Sequence, residues 1–96
     1  MEVDRLLQSK RDEILRIAAS HGARDVRLFG SLARGEAGPK SDIDILVKLD
    51  VGRSLLDIVA IKQDLEDLLG CEVDVVTEAA ISPYIREEVL SEAVSL

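Results

Sequence analysis

A chain of 96 residues with 47% hydrophobic and 32% charged content is read as one small soluble domain spanning 1–96, too short to build a second core. Its net charge of −7, from 19 acidic against 12 basic residues, argues against a polynucleotide or an anionic membrane as partner, because phosphate neutralisation supplies most of that affinity. A phosphorylated small ligand that arrives with a divalent cation stays open, since the metal reverses the local sign of an acidic site. Cys71 is the one cysteine, so no intrachain disulfide forms. The start, MEVDRLLQSKRDE, has no apolar signal core, and no apolar run nears the roughly 18 residues that cross a bilayer. A cytoplasmic protein is expected. Phe29 and Tyr84 are its only aromatic residues, so the core must be aliphatic.

In chain order, residues 3 to 20 read as one helix, with Val3, Leu6, Leu7, Ile14, Ile17 and Ala18 at helical spacing and Gly22 as its stop. Val26 to Phe29 reads as a short strand running into Gly30-Ser31. Leu32 to Glu36 has room for one or two helical turns before Gly38-Pro39. Asp42 to Leu49 is the strongest strand. Ser54, with Asp57 three residues on, opens a helix like a capping box. Leu55, Ile58, Val59, Leu65, Leu68 and Leu69 form its expected apolar face, and Gly70 ends it. Glu72 to Val76 is a third strand, and Ser82-Pro83 predicts the start of a last helix reaching about Ala93. The order predicts an α+β, two-layer fold: a small mixed sheet with helices on one face and an open face opposite.

Asp42 and Asp44 alternate with Ile43, Ile45 and Val47, so both carboxylates face away from the core. They can converge on one divalent ion, or span two ions about 3.5–4 Å apart. Oxygen ligands favour Mg²⁺ or Mn²⁺ over Zn²⁺. Taken alone, Asp-x-Asp more readily describes the solvated face of an edge strand. Asp74 sharpens the pattern, because its strand, laid beside the second, brings a third carboxylate to the same face. Gly30-Ser31, at a strand end before a turn, exposes N–H groups and a hydroxyl to a phosphate, and Arg34 adds a positive charge one turn later. As a dipeptide alone, Gly30-Ser31 is an ordinary strand-to-helix turn.

The run GSLARGEAGPKSDIDILV, with Asp74 beyond it, resembles the minimal nucleotidyltransferases of the DNA polymerase β-like superfamily. The resemblance covers nearly the whole chain. It implies that Gly30 and Ser31 cradle the β- and γ-phosphates of ATP, that Asp42 and Asp44 ligate two Mg²⁺ ions, and that Asp74 completes one metal site and helps to activate an acceptor hydroxyl. Arg34 is a further nucleotide contact. It also implies a toxin–antitoxin system: an antitoxin that transfers AMP to a tyrosine of a HEPN-domain ribonuclease toxin. The alternative is an inert antitoxin that neutralises its helical partner by binding. His21 is expected at a helix end, Cys71 as a small buried residue and Tyr84 in core or edge packing. Val89, Leu90, Val94 and Leu96 exceed what one thin helix needs and are expected to serve a homodimer or partner interface.

Overall fold

The computed structural model describes residues 3–30 and 43–96. Along the chain run α1 (Val3–Ser9), α2 (Arg11–Ser20), β1 (Ala23–Phe29), β2 (Ile43–Leu49), α3 (Leu55–Leu69), β3 (Val73–Thr77), a 3₁₀ turn (Glu78–Ala80), α4 (Arg86–Glu92) and β4 (Val94–Ser95). The strands form one mixed sheet in the order β3-β2-β1-β4. β1 lies antiparallel to β2, whereas β2 and β3 are parallel and joined through α3. Among the described residues, no helix is long and apolar enough to cross a membrane.

Alternation along the strands decides which face is covered. Val26 and Leu28 of β1, Ile43, Ile45 and Val47 of β2, and Val73 and Val75 of β3 join one buried cluster. Leu7, Ile14 and Ala18 from the first two helices and Ile61, Leu65 and Leu69 from α3 close it. Full burial of each large aliphatic side chain stabilises by about 1.5–3 kcal/mol. Leu46 points to the opposite face, yet it is fully buried outside that cluster. The 3₁₀ turn packs on β2, and α4 packs on β1, and Ile81 is buried outside the helix-side cluster too. The second face is thus covered towards the end of β3.

The helix expected over residues 3 to 20 is two helices. Lys10 leaves helical geometry at φ −107°, ψ 9°, and the bend lets Leu7 reach the same core as Ile14. In α3 the capping box forms as its sequence predicts: Leu56 N–H donates to Ser54 Oγ and Ser54 N–H to Asp57 Oδ2. Gly70 closes the helix in the left-handed conformation, φ 70°. The buried face of α3 is Ile61, Leu65 and Leu69, however, while Leu55 is 77% and Val59 49% exposed. Ile58 and Leu68 of the expected face do pack against the core, whereas Leu55, Leu56 and Val59 stay exposed.

The last helix begins at Arg86 rather than at Pro83; Ser82 Oγ accepts from Tyr84 N–H in a turn before it. Tyr84 is 97% exposed, against the expected core or edge packing. The sequence reading also missed β4, which pairs Ser95 and Val94 with Arg27 and Leu28. Leu96 N–H donates to Val26 O, and its side chain packs on the core. His21 ends α2, but its ring reaches across to Asp64 of α3 (Nε2 to Oδ2, 3.0 Å). Cys71 is half-buried against the core.

One ion pair ties the 3₁₀ turn to β1, and another ties α3 to the start of β3. On the second face, the Arg27 guanidinium binds the Glu78 carboxylate. That bond holds the Glu78 carboxyl below its ordinary 4.5, although burial opposes the shift. Lys62 and the Val73 N–H do the same for Glu66. A carboxyl lowered by folding adds stability that is complete above the unfolded value and disappears as pH falls through the folded one. Glu78→Gln is therefore expected to flatten the acid limb of the melting temperature against pH, below the ordinary 4.5. A limb parallel to that of the parent would show that the Arg27 pair contributes nothing.

Candidate active site

Three site residues expected from the sequence lie within the described segments, and the fold brings them together. Phe29 faces Asp44 across the antiparallel pair, and Asp44 faces Asp74 across the parallel pair. Neighbouring strands lie about 4.8 Å apart, so side chains in one row on one face are in reach of each other. The row exists because Ile43, Ile45, Val73 and Val75 are drawn to the helices. The residues between them must then point the other way. Asp44 is half-buried and Asp74 exposed.

Gly30 closes the row at the end of β1. Its φ is +73°, and a Cβ placed there would come within 2.4 Å of Asp44 Oδ2. Any side chain at position 30 would be strained by the left-handed backbone and would also push the carboxylate away. The glycine is thus required by Asp44 as well as by the turn. Ser31, Arg34 and Asp42, the other expected site residues, lie outside the described residues.

Lys62, on α3, was not foreseen. Its ammonium donates to Glu66 Oε2 (2.7 Å) and to Val73 O (2.9 Å), while Val73 N–H donates to Glu66 Oε2 (3.1 Å). The Glu66 hydrogen bond above all raises the Lys62 pKa, and the fields of Asp74 and Glu72 add to it. Among the described residues, Lys62, Glu72, Val73 and Asp74 line an open cavity of about 230 Å³. A Lys–Glu pair at i,i+4 is visible in the sequence; its target, the backbone of Val73, is not.

The donor set fits a hard divalent cation. Asp44 and Asp74 offer oxygen only, from adjacent strands, and magnesium is bound through one or two carboxylates together with substrate phosphates. Among the described residues no group of three ligating side chains occurs; Asp42 is the expected third.

Comparison with known proteins bears on the family and the fold. The family model for the Nucleotidyltransferase domain matches residues 11–96. Protein adenylyltransferase MntA of Thermococcus cleftensis is 37% identical over 93 residues, covering 97% of this chain and 91% of the relative. A solved structure of a putative minimal nucleotidyltransferase superposes with a TM-score of 0.88 at 48% identity, covering 100% of this chain and 97% of that one. A mutant form of the toxin–antitoxin MntA–HpeT superposes with a TM-score of 0.71 at 26% identity, covering 93% and 70%. The family match runs from α2 through β4 and so takes in every strand of the sheet; the chain belongs to the nucleotidyltransferase domain family, as an enzyme of its minimal type.

Proposed function

We propose that this chain, over residues 1–96, is the antitoxin of a toxin–antitoxin pair and transfers AMP from ATP to a tyrosine hydroxyl of a HEPN-domain ribonuclease toxin. The observation that carries the reading is the row in which Asp44 directly opposes Asp74, with Gly30 against the Asp44 carboxylate. The protein adenylyltransferase relative supports the reaction, and the MntA–HpeT neighbour supports a toxin as partner.

In this reading Asp42, Asp44 and Asp74 hold two Mg²⁺ ions, or Mn²⁺ in their place. When bound, such ions neutralise the phosphate oxygens and the departing pyrophosphate. The turn at Gly30 presents its backbone to the β- and γ-phosphates while leaving the Asp44 carboxylate in place, and Ser31 donates its hydroxyl to the same phosphate oxygens. Arg34 supplies a fixed positive charge to the phosphate tail. Asp74, at the outer end of the row, orients the acceptor hydroxyl and takes up its proton on a carboxylate oxygen. Phosphoryl chemistry of this kind depends on positioning and charge more than on covalent help from the protein.

The test incubates the full chain with labelled ATP, Mg²⁺ and a candidate HEPN-domain toxin, and measures the intact mass of the toxin. A gain of one or more AMP units, together with reduced ribonuclease activity, is expected. Tight binding without a mass gain would overturn the enzymatic reading in favour of neutralisation by contact alone.

A further inference from the structure

β3 is an edge strand of the sheet, and an edge strand presents N–H and C=O groups that pair with nothing in the sheet. Ile43 N–H donates to Glu72 O at 3.2 Å, so the Glu72 carbonyl points inward to β2. The next carbonyl, that of Val73, turns outward by the alternation of the strand. There the outward groups meet α3: the Val73 carbonyl accepts from Lys62, and the Val73 N–H donates to Glu66. Lys62 and Glu66 are also bonded to each other. Two side chains one helical turn apart thus occupy both outward backbone groups of a single residue, much as a further strand would. That residue immediately precedes Asp74.

We propose that Lys62 and Glu66 are positioning residues for Asp74: by clamping the Val73 peptide groups they fix the direction in which the Asp74 carboxylate enters the row with Asp44. The inference rests on the metal-binding role given to Asp74 above. Groups that orient a metal ligand from behind are commonly worth 10–100-fold in metal affinity or activity. Neither side chain needs to touch the ion or the nucleotide. Sequence spacing shows the Lys62–Glu66 pair as one more helix-surface ion pair, of a kind worth little on its own. Its contact with the start of β3 gives it a use.

Charge alone and positioning predict opposite signs, which makes Lys62→Met decisive. The Lys62 ammonium lies in the field of Asp74, so as a mere neighbouring charge it competes with a cation, and its removal would tighten cation binding. As a positioning residue its removal frees the Val73 carbonyl and loosens binding. Methionine is nearly as good a helix former as lysine, and the side chain is on the surface, so α3 is retained. Mn²⁺ binding to the full chain is to be measured by calorimetry with a non-hydrolysable ATP analogue present.

Lys62→Met is expected to weaken Mn²⁺ roughly 10-fold, with faster hydrogen exchange at the Val73 amide, while Lys62→Arg, which keeps two donors, restores binding. Unchanged or tighter Mn²⁺ binding in Lys62→Met, or no rescue by arginine, would overturn the clamp. Asp74→Asn, run in parallel, separates the two claims. If Asp74→Asn bound Mn²⁺ like the parent, the site assignment would fail and the clamp with it. If Asp74→Asn weakened binding and Lys62→Met did not, the clamp alone would fail.

Discussion

Asp44→Asn and Asp74→Asn are each expected to lower AMP transfer about a thousandfold, equivalent to roughly 4 kcal/mol of transition-state stabilisation, without unfolding the protein. Asparagine keeps the shape and one oxygen but loses the charge that holds a divalent ion. The two positions are direct cross-strand partners, so neither can replace the other. For Asp74→Asn the metal-free protein should melt no lower than the parent, because like charges set opposite one another cost about 0.2–1 kcal/mol. Transfer rates with labelled ATP and thermal melts in chelator check both halves. A variant that transfers AMP at the parent rate would remove its residue from the site.

The second large effect belongs to a residue with no side chain. Gly30→Ala should cost about 1–2 kcal/mol of stability for the left-handed backbone and on the order of 100-fold in transfer, the loss that a misplacement of about 1 Å brings. The added methyl would meet Asp44 Oδ2 at 2.4 Å. A carboxylate is the mobile end of its side chain, so it swings aside and the fold survives while the row is broken. Because the damage acts through Asp44, the double variant Gly30→Ala/Asp44→Asn should transfer no more slowly than Asp44→Asn alone. Full additivity of the two losses would show that the glycine acts elsewhere, and a fully active Gly30→Ala would deny it any role.

Much of this was legible in the residues. The alternation Ile43-Asp44-Ile45 and Val73-Asp74-Val75 foretells both the buried face and the carboxylates opposite it, since period-2 spacing fixes direction once one face is covered. The ends of α3 were legible for a local reason: Ser54, Asp57 and Gly70 act within one turn of themselves. What the pattern could not show depends on distant partners. Leu55 and Val59 carry the helical spacing of a core face, yet the core is met by the stretch of α3 from Ile58 to Leu69, which packs on β3 and α2. Tyr84 looks like an anchor beside Pro83 but sits in a turn with no layer above it. β4 is only two residues long, Val94–Ser95, and exists because β1 offers a free edge. The break at Lys10 likewise follows from the route Leu7 takes to the core, not from a helix-breaking residue. In the site, Asp44 and Asp74 face each other, as alternation implies once their strands are neighbours, and Gly30 meets Asp44 from the end of β1. The clamp on Val73 was hidden, because a backbone carbonyl leaves no trace in a residue pattern.

The parallel pairing of β2 with β3 has a consequence for how the molecule comes into being. An antiparallel neighbour can zip up from a connecting turn, but a parallel one waits until the intervening helix has formed and docked. Asp44 and Asp74 ride on those two strands, so they meet at a late stage of assembly, and they arrive repelling each other. If the two carboxylates hold the metal as proposed, a partly folded chain lacks that site, and a ligand that binds only the finished form would draw the population towards it by mass action.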